Sequence, residues 1–571
     1  MSEKQSNHSN LNILLLIGVA AITFILLGAR FFQLNITQSS HGEDLVEYIE
    51  DSQDPRSSII EAKRGTIYDI QGQPIAIDTT SYSMYAVLQG GNGYDAVEDR
   101  DHTAKVLSNY IDMTRDEVLD ILLNYEAIQV EFGTAGRNIS QETRDAIEEE
   151  NLPGVYFVSQ SSRQYVNDYF SSHLIGYASK QEQNNSWMPT ADILTGQIGI
   201  ESAYDAELSG QNTIENNPDL VERTRTLLGE DIYLTLDSRL QHYMEELLDY
   251  SYNKYQPEEM SAYLVEVETG KLLTAAQRPT FNLNTREGIE TQWTNQLVEE
   301  VYEPGSTMKI LTQGTAYDMG VYEPNELVET GSTEIEDVTV RDYNLYGWGP
   351  ITFDEGLSRS SNVTIVELIR RIGLDNWTDQ LTEFGFGQTT ESGLANEAIG
   401  TVEFDNPVSA TMSGFGQGFA TTPIQLLQAF TSIANDGKMM KIQYLNGIGE
   451  NDEFQPIEIN QPISEEAADH IVDLMVNTVN EEYGTAQEYS VPGVQIAAKT
   501  GTAQIANPDG LGYLEGANDY YFSVVSFFPA EDPKYMLYFS MKRPTNDHNL
   551  MGSQILAEIF RPFVEYVSVY E

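Results

Sequence analysis

The chain reads as an α+β protein in three parts: an N-terminal transmembrane helix, an elongated α+β pedestal module, and a larger domain with a central antiparallel sheet flanked by helices. Three observations predict this. One uncharged apolar run stands near the N-terminus, short β-prone and helix-periodic stretches alternate through the middle, and strand-like runs bracket the helical runs of the last part. At 571 residues the chain exceeds a single core.

The apolar run extends without a charge from Ile13 to Ala29, about the length a bilayer core demands of a helix. Leu27-Gly28-Ala29 is followed at once by Arg30-Phe31-Phe32, poor chemistry for signal cleavage. Residues 11–34 therefore read as an uncleaved, single-pass anchor and 1–10 as a cytoplasmic tail. Lys4 and Arg30 flank the run too evenly to fix its orientation.

The pedestal spans 36–230. "RGTIYDIQGQPIAID" presents two β-prone runs about the Gln71-Gly72 turn, a hairpin pattern. Thr114 and Glu117 have the spacing of a capping box before an apolar-periodic run. A further helix follows Ser140 and ends before Pro153-Gly154, after which "GVYFV" reads as a strand. Residues suited to catalysis are not concentrated in this module.

The last domain, 231–571, opens with a strand through Leu236 and a helix capped by Asp237. Two strands meet at Thr269-Gly270, and helices follow Ser306, Ser360 and Thr422-Pro423, the last with proline at its first position and Gly437 near its end. "VQIAAKTGTAQI" and "YYFSVVSFFPAEDPKYMLYFSMKR" supply three strands, and "GSQILAEIFRPFVEYV" a closing helix. Strands at both ends of one domain imply an antiparallel sheet closed by distant segments.

Composition excludes several functions. A net charge of -57, from 88 acidic and 31 basic residues, argues against nucleic acid as a partner, because neutralising phosphates needs a basic face. It suits a solvated surface in salty or alkaline surroundings. Without cysteine there is no disulfide, thiol nucleophile or thiolate metal site. The seven histidines fall into no metal-ligand spacing, so neither metal nor cofactor is expected.

Chemistry concentrates in three motifs. In "YEPGSTMKIL", Ser306 and Lys309 lie one turn apart on one helix face. A hydroxyl becomes a nucleophile when a neighbouring base takes its proton, and a desolvated lysine can be that base. "SRSSNVTIV" supplies Ser360 and Asn362, and "AAKTGTAQI" supplies Lys499, Thr500 and Gly501 followed by Thr502. The order S-x-x-K, S-x-N, K-T-G is that of the penicillin-binding proteins and class A β-lactamases, with Ser361 in place of an aspartate in the second. Ser360 is suited to pass a proton between Lys309 and a leaving amine, and the Asn362 amide to bind a peptide amide from both ends. Lys499, Thr500 and Thr502 can hold a carboxylate, and the absent side chain at Gly501 would let the strand edge lie close to substrate. The backbone amides of Ser306 and Thr502 are the expected oxyanion hole.

Further segments extend the resemblance. "RGTIYDIQGQPIA", "HLIGYAS" and "GQIGIESAYDAELSG" are similar to pedestal motifs, and "QRPTFNLNTREGI" and "GFGQGFATTPIQLLQAF" to transpeptidase motifs, of the class B high-molecular-weight penicillin-binding proteins. Within that family the chain most resembles the 2X-type division transpeptidases of Gram-positive bacteria. The resemblance implies a stem peptide ending in D-Ala-D-Ala as substrate, β-lactams as trapping mimics, and an extracytoplasmic main domain. It also implies a septal glycan polymerase and other division proteins as partners at the membrane. Relatives often carry C-terminal PASTA repeats and K-S-G rather than K-T-G; here the sequence stops soon after its last helix and has Lys499-Thr500-Gly501. A β-lactamase or sensor on the same motifs, a bifunctional glycan polymerase and a non-enzymatic scaffold are the rival readings. They are disfavoured by the long pedestal, by the lack of an acidic glycosyltransferase motif in 36–230, and by the intact motifs.

Overall fold

A computed structural model of the chain describes residues 63–569, apart from 92, 182–192, 211–212, 215–227, 450–451, 508–511 and 517. It also describes short strand pairs of 39–40 with 43–44 and of 59–60 with 213–214. The expected anchor at 11–34 and tail at 1–10 lie outside the described residues. Among the described residues no helix is long and apolar enough to cross a membrane. The described residues of 62–181, 193–211 and 224–571 make one compact unit.

The expected hairpin forms from β1 (Ile67–Tyr68) and β2 (Pro74–Val87). Its turn is closed by Asp69, whose Oδ1 accepts from the amides of Gln71 and Gln73 at 2.9 and 2.7 Å. Helix α1 (Arg100–Leu107) follows, then α2 (Arg115–Leu122) with the Thr114–Glu117 capping box made in both directions. Strand β3 (Gln129–Glu131) pairs with β2, and α3 (Gln141–Glu149) is capped by Ser140. Strand β4 (Val155–Tyr165) runs along β2 from Ala76↔Tyr165 to Ala86↔Val155. It is longer than "GVYFV" suggests, because a long partner offers ladder bonds to polar residues that carry no apolar alternation. Met84, Leu107, Val118, Leu122, Phe132 and Ile147 close a small core at the far end of this layer.

Nearer the second domain, the buried Glu201 carboxylate bridges two guanidiniums, Arg64 Nε at 2.7 Å and Arg163 Nε at 2.6 Å. Arg64 Nη1 also meets Asp205 at 2.7 Å. Such a cluster survives out of water only because each charge is paired.

Strand β5 (Ile232–Leu234) lies parallel to β1. Helix α4 (Ser238–Tyr255) starts at Asp237, whose side chain accepts from the Arg239 and Leu240 amides as the sequence predicts. The hairpin β6 (Glu259–Glu266) and β7 (Lys271–Arg278) turns at Thr269-Gly270. After it come α5 (Lys309–Asp318), α6 (Asn362–Ile372) and α7 (Pro423–Ala434), the last with a Thr422–Gln425 capping box. Strand β8 (Leu445–Ile448) pairs with β5, giving the order β8-β5-β1-β2-β3 in a sheet drawn from both sides of residue 230. Helix α8 (Glu465–Asn480), strands β9 (Ala497–Gln504), β10 (Tyr520–Phe528) and β11 (Tyr535–Lys542), and helix α9 (Gly552–Val569) complete the fold.

The central sheet has the order β7-β6-β11-β10-β9, antiparallel throughout. Alternation along β6 sends Ala262 and Leu264 toward α4 and α9, with Leu248, Ile559 and Phe560. Tyr263 and Val265 face the opposite core, with Ile310 of α5, Phe430 of α7 and Ile471 of α8. Both faces are covered, which is why β6 and β11 are buried along almost their whole length. β9 is left as an edge, with one side available beside α5.

Candidate active site

Ser306 sits in a 3-10 turn, Gly305–Met308, that runs directly into α5 at Lys309. A tight first turn eclipses residues three apart, so the nucleophile candidate stands over the lysine. Gly305 has φ +60, and a Cβ there would lie 2.8 Å from the Thr502 carbonyl oxygen. Glycine is what lets this turn press against β9. Ser306 and Thr502, the expected oxyanion pair, are therefore brought to opposite sides of one close contact.

Lys309 is fully buried. Its Nζ donates to the Ser360 carbonyl at 2.7 Å, to Ser360 Oγ at 3.2 Å and to Asn362 Oδ1 at 2.8 Å. Burial pulls its pKa down to about 7, against the opposing pull of Asp342. Ser360 can present both oxygens because its backbone is left-handed, φ +58, a strained state for a residue with a Cβ.

Lys499 of β9 is equally buried and approaches Ser360 from the other side, its Nζ donating to Ser360 Oγ at 2.9 Å and to the Thr500 carbonyl at 2.9 Å. Burial, then the nearness of Lys309, holds its pKa well below the ordinary lysine range. Two amines thus share one hydroxyl, and the nearness of Lys309 makes Lys499 easier to deprotonate. Thr502 is exposed and Thr500 half-buried on the strand edge.

Two expectations change. Asn362 does not offer both ends of its amide freely: Oδ1 takes the Lys309 bond and Nδ2 donates to the Arg341 carbonyl at 3.0 Å. One N–H and one lone pair remain for a ligand. The glycine at 501 faces protein, since a Cβ there would lie 2.2 Å from Ser523 Oγ and 3.0 Å from Thr307 Cγ2. Its smallness joins β9 to β10 and to the nucleophile turn rather than making room for substrate.

Residues 260–565 match the family described as penicillin binding protein transpeptidase domain, and 59–219 that described as penicillin-binding protein dimerisation domain. The chain belongs to the class B penicillin-binding proteins. Stage V sporulation protein D of Bacillus subtilis is 30% identical across 93% of this chain and 81% of its own length. Peptidoglycan D,D-transpeptidase FtsI of Escherichia coli is 25% identical across 98% of this chain and 92% of its own. The crystal structure of penicillin binding protein 2X from Streptococcus thermophilus superposes with a TM-score of 0.74 at 30% identity, covering 90% of this chain and 80% of that one.

In this penicillin-binding protein, motif spacing overlooks Asp342. Its Oδ1 accepts from the Asn362 amide at 2.7 Å, the Ser361 hydroxyl at 2.9 Å and the Val363 amide at 3.1 Å, and its Oδ2 from the Gly331 amide at 2.8 Å. A buried carboxylate at a helix N-terminus satisfies orphan donors and fixes where α6 begins. The available signal was a lone acid in "VRDYNLYGWG", well before a helix that already had Ser361 as its cap.

Proposed function

We infer that the chain is a peptidoglycan D,D-transpeptidase, acting through an acyl-enzyme on Ser306. The observation that carries this is Lys309, wholly buried, brought to about pH 7 by that burial, and bonded to Ser360 and Asn362 one turn from Ser306. Neutral Lys309 takes the Ser306 proton as Oγ bonds the carbonyl carbon of the penultimate D-alanine. The C–N bond to the terminal D-alanine breaks, and the proton reaches the leaving nitrogen by way of Ser360, which lies between Lys309 and Lys499. An acceptor amine then attacks the acyl carbon, the Oγ–C bond breaks, and a proton returns to Oγ.

The backbone amides of Ser306 and Thr502 receive the oxyanion, and Thr500 and Thr502 bind the substrate carboxylate with Lys499 behind them, whose protonated form the arriving carboxylate favours. Gly501 lets their strand reach the turn. Asn362 orients the peptide with its remaining donor and acceptor. β-Lactams, which mimic the D-Ala-D-Ala terminus, acylate the same serine.

The segment 11–34, around its uncharged run from Ile13 to Ala29, anchors the chain in the cell membrane with residues 1–10 inside and the pedestal (36–230) and transpeptidase domain (231–571) outside. The resemblance to division transpeptidases supports the septum as the setting, with a glycan polymerase and other septal proteins as partners. The deciding experiment incubates full-length protein with a fluorescent penicillin and identifies the labelled peptide by mass. A long-lived adduct on Ser306, absent in Ser306→Ala, is expected. Rapid release of hydrolysed penicillin without an accumulating adduct would instead mark a β-lactamase.

A further inference from the structure

Glu303 stands three residues before Ser306. Its Oε1 accepts from the Gly418 amide at 3.0 Å and from the Tyr513 hydroxyl at 3.2 Å, while its Oε2 is buried with no hydrogen-bond partner. The two donors reach it from different sides. Gly418 belongs to the glycine-rich segment whose Gly416 carbonyl accepts from the Gly305 amide at 2.9 Å. Tyr513 is bridged to Ala506, just past the end of β9. One carboxyl oxygen thus ties the nucleophile's segment to the segment behind it and to the continuation of the substrate strand.

A carboxylate is a costly choice for this place. Burial pushes Glu303 up to about 7, although the bonds from Gly418 and Tyr513 pull the other way. A glutamine would keep the accepting oxygen, put an NH2 where Oε2 finds nothing, and carry no charge into the interior. What the ionised form alone supplies is a stronger, charge-assisted bond from each donor. The titratable side chain that meets Glu303 is Tyr513, and the glycine-rich segment presents the Gly418 amide. On its own segment the neighbouring acid, Glu300, is engaged by Tyr521 of β10 at 2.5 Å and by Lys542 of β11 at 3.7 Å.

We propose that Glu303 is a positioning residue for acylation: its ionised carboxylate draws Tyr513, and with it the end of the substrate strand, against the nucleophile turn, and protonation releases that hold. The inference rests on the Ser306 acyl-transfer reading above. It is a role through other groups, since Glu303 needs no contact with the reacting atoms.

The test measures acylation rates by a fluorescent penicillin in full-length wild type, Glu303→Gln, Tyr513→Phe and the double variant, from pH 6 to 8.5. Lys309 titrates in all four, so its effect cancels in rate ratios. Wild type over Glu303→Gln should be near unity at pH 6 and rise to about fivefold at pH 8.5, what strengthening one hydrogen bond by charge supplies. In the Tyr513→Phe background the same ratio should lose most of its pH dependence.

Melting should move the opposite way. The folded pKa, about 7, lies above the ordinary 4.5, so stability from this group falls as pH rises from 4.5 to 7 and stays low above it. Glu303→Gln should therefore melt higher than wild type at pH 8.5 and level with it near pH 4.5. A flat ratio in a wild type that acylates overturns the proposal, as does a variant that loses both rate and melting temperature at every pH. No labelling of the wild type at all would bring down the acyl-transfer reading, and this proposal with it.

Discussion

Lowering the pH from 8 to 6 should slow acylation of Ser306 about tenfold through Lys309 alone, because the base must be neutral to accept the serine proton. An ordinary lysine, at 10.5, is neutral in about one molecule in 3,000 at pH 7. Burial brings Lys309 to about 7, so that about half is neutral there. The shift corresponds to ~5 kcal/mol of penalty against the charged form, in a side chain with no exposure to solvent. Between pH 8 and pH 6 the neutral fraction falls from about nine-tenths to about one-tenth, which sets the expected factor. The assay is time-resolved labelling by a fluorescent penicillin, quenched in denaturant, and repeated in Glu303→Gln to remove the further loss that Glu303 adds in the wild type. Stability carries the same signature. Here the folded pKa is below the unfolded one, so the unfolded chain binds more protons between pH 7 and 10.5 and stability rises with pH across that window. Lys309→Met should abolish labelling, melt higher than wild type at pH 6, and lose that advantage by pH 10. A labelling rate that is flat from pH 6 to 8, or that rises only near pH 10, would refute a buried neutral lysine as the base.

Asp342→Ala leaves four donors without their acceptor, and should cost about 3 kcal/mol or more in denaturant unfolding. Because Asp342 holds the Lys309 pKa up, the same variant should also move the inflection of the labelling profile to lower pH. Gly501→Ala should cost about 1–3 kcal/mol through overpacking against Ser523 and Thr307, and Ser523→Ala should restore part of it if the clash is with that hydroxyl. With a net charge of -57, melting temperature should rise as salt goes from 0.01 to 0.1 M, where the Debye length shrinks from about 30 to about 10 Å. An unchanged melting temperature would mean that local pairing already offsets the repulsion.

Local features were legible in the sequence because their causes are local. The Thr114 capping box, the Asp237 cap, the helix starts after Ser140 and at Thr422-Pro423 and the turn at Gln71-Gly72 each depend on residues within a few positions of one another. The antiparallel sheet could be inferred from where apolar strands fall, but its order β7-β6-β11-β10-β9 depends on registers between remote segments. The catalytic candidates were found because S-x-x-K, S-x-N and K-T-G repeat a spacing. Asp342 and Glu303 belong to no such spacing, and each matters only through amides and hydroxyls that folding delivers from elsewhere. Gly501 shows the reverse case, a residue singled out by its motif whose stated reason the Ser523 and Thr307 contacts replace.

The placement of β6 has a consequence for how the chain is made. Its neighbours are β7, which follows at once, and β11, so that Glu259 waits for Lys542, 283 residues later. Until that distant segment has left the ribosome, one of the most deeply buried strands of the protein has a bare edge, open to pairing with any other extended chain. Closing so large a loop is slow, and a message truncated anywhere before residue 535 would leave the central sheet without its middle strand. Helper proteins that shield unfinished strands should therefore matter more to the yield of this protein than to that of an equally stable one assembled from neighbours in sequence.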